Sequence, residues 1–243
     1  MPCYNESCYT KKCINSIIKN SPQDSFNFIF INNGSTDDTN DFLKTIENST
    51  IIQNEHNLYV NPAWNQGFKH LLEMDTGEYV CLCNNDIIAG FDWLQPIFDL
   101  FEKRKNEFYV PVSNTQLDPL FHGEDELLKY SFSPKPLMLS YIREPFVGFC
   151  MFMRTTHVPL FYPIPEVIKV LHGDDWITDT LFSNGIVPIR VNRCAVYHVG
   201  GGTQRNMPID EMRNNDHNEF HKLYMNLGMK KINEYPLDII KLL

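Results

Sequence analysis

The chain has no run of Lys and Arg longer than Lys103-Arg104-Lys105, and its 30 acidic residues outnumber 21 basic ones to give a formal net charge of −9. Such a surface repels a phosphate backbone, so no nucleic-acid partner is expected. No apolar stretch is long enough to span a bilayer, and no signal peptide is recognisable. Cys3, Cys8 and Cys13 lack the paired close spacing of a zinc site, and seven cysteines is an odd number. Cys81 and Cys83 lie in an apolar run and read as core thiols. Internal repeats and low-complexity segments are missing as well. These absences suggest a protein of a reducing compartment, cytoplasmic or peripheral to a membrane. What remains is 243 residues, enough to bury a sizeable core in one large domain or two small ones.

The organising stretch is Tyr79-Val80-Cys81-Leu82-Cys83, followed by Asn84-Asn85-Asp86. Five apolar or aromatic residues in a row predict a strand buried on both faces. Its polar end delivers amides and a carboxylate to the carboxyl edge of a sheet, where ligands bind in open α/β folds. Asp86 is an acceptor-only group suited to a hard divalent cation. A plain strand-to-loop turn would use the same residue types.

Around this strand the pattern alternates. A helix is expected over Ser7–Lys19, a strand over Phe26–Ile31, and a turn leading into a helix that reaches Ile46. A short strand over Thr50–Gln53, a loop over Asn57–Pro62 and a helix over Ala63–Leu72 follow. Strand, helix, strand, helix, strand predicts a parallel α/β arrangement with right-handed crossovers. Later come a helix over Phe91–Lys103 and strands over Phe108–Val112, Phe146–Met153, Ile186–Val191 and Cys194–His198. A helix over Asp174–Ser183 precedes the last two, and an amphipathic helix runs from Pro208 to about Leu227. Residues 113–145 carry no clear pattern.

Three further clusters carry chemistry. Asn32-Asn33-Gly34-Ser35-Thr36-Asp37 follows a strand, His172-Gly173-Asp174-Asp175-Trp176 opens a helix, and His198 ends a strand ahead of Gly200-Gly201-Gly202. Singly, each has a structural reading as a cap, a dipole complement or a flexible loop.

In order along the chain, Pro2-Cys3-Tyr4-Asn5-Glu6, Ile31 to Asp37, Asn57 with Asn65-Gln66-Gly67, Asn84-Asn85-Asp86, Asp174-Asp175 and His198 resemble glycosyltransferase family 2. The resemblance implies a GT-A fold, Rossmann-like, with a mostly parallel sheet flanked by helices. It covers residues 1–205, with a nucleotide-binding half over about 1–112 and an acceptor-binding half over about 113–205. Residues 206–243 form a C-terminal helical extension. The family's usual first strand is missing ahead of Pro2, and the expectation is that translation begins upstream of Met1.

By the same resemblance the donor is a nucleotide-diphosphate sugar carrying UDP, dTDP or GDP. Pro2, Tyr4, Asn5, Glu6, Asn32, Asn33, Ser35, Asn57, Asn65, Asn84, Asn85 and Arg205 would bind it. The family usually has Asp where Asn32 and Asn84 stand, which leaves Asp86 as the one carboxylate of its motif. Asp86 and His198 would hold a divalent cation; Mn²⁺ suits a mixed carboxylate and imidazole set, whereas Mg²⁺ prefers oxygen. Asp175, with Asp174 second, would take the proton of a glycan or lipid-linked glycan acceptor as it attacks with inversion. Phe146, Phe149 and Trp176 would form an apolar wall for that acceptor, with core packing as the equal alternative. A nucleotidyltransferase is disfavoured because the first loop has no glycine and no base. A degenerate, non-catalytic sugar-binding protein of the same fold is the alternative.

Overall fold

The computed structural model describes residues 1–23, 25–74, 77–115, 119–142, 148–200 and 209–235. The chain begins with a two-residue strand β1 (Pro2–Cys3), then α1 (Ser7–Asn20), β2 (Phe28–Asn32), α2 (Thr39–Leu43), β3 (Ser49–Gln53) and α3 (Val60–Met74). It continues through β4 (Tyr79–Cys83), β5 (Ile87–Ala89), α4 (Gln95–Lys103), β6 (Glu107–Ser113), α5 (Glu124–Phe132) and β7 (Leu139–Tyr141). The last elements are β8 (Cys150–Arg154), α6 (Val158–Phe161), α7 (Gly173–Ser183), β9 (Val187–His198) and α8 (Asp210–Leu227). No helix among the described residues is long and apolar enough to cross a membrane.

Local chemistry accounts for these boundaries. In α1 the buried Thr10, Cys13, Ile14 and Ile17 recur at helical spacing and turn one stripe to the core. The helix expected from Phe91 starts at Gln95, because Asp92 adopts a left-handed backbone (φ 53°) that a helix cannot run through. The strands expected over Ile186–Val191 and Cys194–His198 are one strand. Pro111 faces Val191 and Val112 faces Ala195, so residues 192–194 bulge outward without ending it. The unassigned stretch before Pro145 contains α5 and β7.

Two sheets result. One is parallel, in the order β1-β2-β3; the other is mixed, in the order β4-β8-β6-β9-β5, with β7 also on β9. The organising strand β4 is thus not part of a parallel ladder. It pairs antiparallel with β8, from Tyr79 opposite Arg154 to Cys83 opposite Cys150. Nor is the first strand wholly absent: Pro2 and Cys3 pair with Ile31 and Asn32.

Between β2 and β4 lies an apolar cavity of about 640 Å³. Trp64, Phe68 and Leu71 of α3 close one side of it, and Ile97 and Phe101 of α4 the other. Alternation along β4 explains the vacancy. Asn84 N–H donates to Phe149 O and Thr155 N–H to Glu78 O, so even-numbered residues bond toward β8. The backbone groups of Tyr79 and Cys81 therefore point the other way, where no strand pairs with them among the described residues. This corrects the expectation of a strand buried on both faces: Cys81 is exposed to the cavity, and Tyr79 and Val80 are half-buried.

Cys81→Ile would fill part of this cavity with a β-branched side chain favoured in strands. The expected gain is about 1 kcal/mol, within the range of cavity-filling changes. Thermal and urea unfolding of the variant against wild type measure it, and an unchanged or lowered midpoint would count against an accessible apolar void.

Candidate active site

A second, smaller cleft of about 320 Å³ holds the polar residues, at the carboxyl ends of β1, β2 and β4 and the start of α7. Its walls include Pro2, Tyr4, Asn33, Asn57, Asn84, Asn85, Asp86, Phe149, Asp174 and His198, all expected from sequence, together with Asn61 and His172, which were not. The larger cavity is the apolar gap in the sheet and carries no such chemistry. Asn5, Glu6, Asn32, Ser35, Asn65, Asp175 and Trp176 are not among the lining residues. Phe146 and Arg205 lie outside the described residues.

The floor is built by amides. Asn33, 3% exposed, donates through Nδ2 to Asn57 Oδ1 (2.7 Å) and Tyr59 O (3.2 Å). Its Oδ1 accepts from Asn54 Nδ2 and Leu58 N, both at 3.0 Å. This joins the end of β2 to the loop that leads into α3. The first loop is fastened by Asn5: its N–H donates to Ser35 Oγ (3.0 Å) and its Oδ1 accepts from Thr36 N (2.7 Å). Asn5 and Glu6 both have left-handed backbones, a strained geometry held in place by these bonds.

Several expected donor-binding side chains are occupied elsewhere. Asn32 spends its amide on Gln53 and the Ser35 N–H. Asn65 makes a two-bond clamp on the backbone of Ile164. Asn85 donates to Thr10 Oγ1 (2.8 Å), fixing the cleft edge to α1. Glu6 acts through its backbone carbonyl, which accepts from Tyr9 N–H at the start of α1.

Asp86 and His198 meet because β5 returns beside β9, with Ile87 opposite His198 and Val199 N–H donating to Asp86 O. Both residues are buried. Asp86 Oδ1 lies 3.2 Å from His198 Nε2, yet it has no hydrogen-bond donor among the described residues: the contact is close but poorly directed. A buried carboxylate oxygen without a donor is costly, and a cation would satisfy it. Two ligands at bond lengths of about 2.1 Å on one octahedral ion stand about 3 Å apart, so the spacing fits. No group of three or more His, Cys, Asp or Glu side chains among the described residues is arranged to hold a metal. Asn114 clamps His198 by accepting its N–H (2.7 Å) and donating to its carbonyl (2.9 Å). The ring of Phe149 stacks on the imidazole at 4.4 Å.

Opposite stands the mouth of α7. Asp174 accepts Gly148 N–H (2.8 Å) at Oδ2 and Asp175 N–H (3.1 Å) at Oδ1. Burial, reinforced by the charge of Asp175, pushes its pKa up to about 6. The approach is close enough that a Cβ on Gly148 would sit 2.2 Å from the Asp174 Cβ, so only glycine fits. Asp175 turns away to His172, whose Nδ1 is 2.7 Å from its Oδ2. Trp176 donates its indole N–H to Phe161 O and packs into the core. The loop before α7 is held from α8 by Asp216, whose Oδ2 accepts the N–H groups of Lys169, Val170 and Leu171 at 2.9, 2.6 and 2.9 Å.

The family model for glycosyl transferase family 2 matches residues 1–158, and the chain belongs to this family. No curated protein matches it. Among solved structures, GalNAc-T7 with UDP, GalNAc and Mn²⁺ aligns with a TM-score of 0.69 at 12% identity, over 92% of this chain and 47% of that one. TarS of S. aureus in complex with UDP aligns at 0.61 and 18% identity, over 81% and 58%. The mannosyltransferase PcManGT from Pyrobaculum calidifontis, with GDP-Man and Mn²⁺, aligns at 0.60 and 14% identity, over 84% and 56%. The shared architecture is the GT-A fold. The chain spans about half the length of these proteins.

The raised pKa of Asp174 has a testable sign. The folded protein holds this proton more tightly than the unfolded chain, whose aspartates titrate near 3.9, so Asp174 costs stability as pH rises from about 4 to about 6. Asp179, also pushed up to about 6 by burial, acts in the same window, so a difference measurement is needed. The melting temperature of wild type minus that of Asp174→Asn should fall across pH 4 to 6 and level off above. A difference constant across that range would show that Asp174 titrates normally.

Proposed function

We propose that this family 2 member transfers a sugar from a nucleotide-diphosphate sugar to an acceptor hydroxyl, by a single inverting displacement that depends on a divalent cation. The observation that carries the reading is Asp86 Oδ1, without a hydrogen-bond donor among the described residues, facing His198 Nε2 in a buried polar cleft. Pro2, Tyr4, Asn33 and Asn57 form the wall suited to the nucleoside, and Asp86 with His198 would hold Mn²⁺ or Mg²⁺ against the diphosphate. The cation would act as a Lewis acid that offsets the charge of the departing diphosphate, in a protein whose own charge is −9. Phe149 keeps the His198 ring in its plane. UDP, dTDP and GDP donors fit this chemistry alike, with a glycan or lipid-linked glycan as acceptor at the cytoplasmic side.

The acceptor must lose a proton as it attacks, and the carboxylate pair supplies the base. Asp174 lines the cleft, but both its oxygens accept backbone N–H groups, which anchors it. Asp175 is the better base. Its side chain is 30% exposed, its Oδ1 makes no hydrogen bond with any described residue, and His172 fixes its other oxygen. Asp174 then sets the position of the Gly148 strand end against α7.

Screening UDP-, dTDP- and GDP-sugars for thermal stabilisation with and without Mn²⁺ identifies the donor, because a ligand of the folded state raises the melting temperature by mass action. Asp86→Asn and His198→Ala should each remove most of the Mn²⁺-dependent shift while leaving the fold intact; an unchanged shift in both would sink the proposed cation site.

Asp175→Asn should lower turnover by about a hundredfold to ten-thousandfold with little change in donor affinity, the usual worth of a positioned base. If Asp174→Asn abolishes turnover and Asp175→Asn does not, the roles of the two carboxylates are reversed.

A further inference from the structure

His172 stands just ahead of α7 with a left-handed backbone (φ 61°, ψ 7°), a conformation uncommon for a residue with a side chain. Such strain persists where surrounding contacts enforce it. The imidazole is held on three sides. Its Nδ1 is 2.7 Å from Asp175 Oδ2, its Nε2 is 3.2 Å from His217 Nδ1, and its face stacks on Phe220 at 4.3 Å and 6°. His217 continues outward, its Nε2 3.2 Å from His221 Nε2. His217 and His221 are one turn apart on α8 and exposed, whereas the His172 side chain is only 16% exposed and lines the cleft. Four titratable groups thus form an unbroken file from the active site to solvent.

We propose that Asp175, His172, His217 and His221 form a proton exit path, by which the acceptor's hydroxyl proton leaves the active site after transfer. The path rests on Asp175 being the base of the proposed glycosyl transfer. All four of its residues lie beyond residues 1–158, which the family model matches, and two of them are on α8. Each step is an exchange along an existing contact. The new O–H of Asp175 breaks as an N–H forms on His172 Nδ1; the Nε2–H of His172 passes to His217 Nδ1. The Nε2–H of His217 then passes to His221 Nε2, and the Nδ1–H of His221 goes to water. Every ring gains one proton and loses one, and Asp175 is returned as a carboxylate. Reversal along the file would return the proton to Asp175, so each ring regains its first tautomer by direct exchange with water, His172 at the cleft and His217 and His221 at the surface.

Burial, then the charges of His217, Lys231 and His172, lowers the pKa of His221 from its ordinary value. The Lys231 ammonium lies 6.0 Å from the centre of the Phe220 ring, which stacks on His172. Imidazole is suited to the task because it carries a donor and an acceptor on opposite sides of one ring.

His217→Phe keeps an aromatic ring on the exposed face of α8 and removes both nitrogens. In weakly buffered solution, with whichever donor sugar gives wild type its fastest release of nucleoside diphosphate, kcat should fall about tenfold, less than loss of the base itself. KM for the donor should stay unchanged, and added imidazole should restore kcat. Asp175→Asn, which removes the base at the head of the path, should not be rescued. A kcat for His217→Phe equal to wild type, or a loss that imidazole does not repair, overturns the path. A second readout needs no turnover. Imidazole nitrogen resonances should show the His172 tautomer shifting in both Asp175→Asn and His217→Phe, and independence of the two ends would also overturn it. If wild type releases no nucleoside diphosphate with any donor, glycosyl transfer fails as the reading, and the nitrogen resonances alone decide whether the file exists.

Discussion

One wall of the cleft is placed by a single, fully satisfied amide. Asn33 follows the strand β2 with its two donors and its acceptor oxygen all engaged, and those partners belong to the segment that turns from β3 into α3. A buried amide left short of a partner would cost about 1–3 kcal/mol. The loop from Asn54 to Tyr59 is therefore bound to follow β2 wherever it goes. Asn57, already accepting from Asn33, also accepts Tyr59 N–H (2.8 Å), and Tyr59 is held with a φ of 70° just before α3. Backbone strain, amide bonding and the opening of α3 are solved together. The result is a rigid polar wall for a ligand and not a mobile loop.

The opposite wall follows a second rule, that each polar group facing the cleft is held by a close neighbour. Asn114 grips the backbone of His198 on both sides, Phe149 covers its ring, and the β5–β9 pairing brings Asp86 alongside. Asp174 fixes Gly148, while Asp175 and His172 fix one another. Adjacent carboxylates at one helix start thus have different environments. The acidic pair also needs the small residues beside it. A side chain at Gly173 would strike Asn61 Oδ1 at 2.1 Å, so α7 can approach the floor only because glycine stands there.

Much of this was legible in the residue order. Apolar runs located β2, β4 and β6, and the ends of β2 and β4 together with Asp174 and His198 do converge on one cleft. What the order could not show was partner choice. Asn32, Asn65 and Asn85 are polar residues at strand ends or on helices, as Asn33 and Asn57 are, yet their amides close structural bonds to Gln53, Ile164 and Thr10. Asn114 and His172 stand in segments without periodicity, and only their three-dimensional neighbours give them roles. Trp176 illustrates the limit for aromatics: its place beside two carboxylates suggested a sugar platform, and its indole N–H is spent on Phe161 O. The sheet's mixed direction was hidden for a similar reason. The return of β8 against β4 is a long-range pairing that no local pattern encodes.

Asp216 ties the far end of the chain into this arrangement. Its fully buried carboxylate collects three successive backbone N–H groups from the segment just ahead of His172, and it does so from the middle of α8. Those three donors can be satisfied in this way only while α8 is docked. Detachment of α8 and loosening of the cleft wall are therefore one event, a single cooperative opening unit in the sense of native-state hydrogen exchange. Reciprocity then applies: whatever fills the cleft and depends on the wall's position slows exchange of amides along α8, and whatever clasps α8 tightens the cleft by the same free energy.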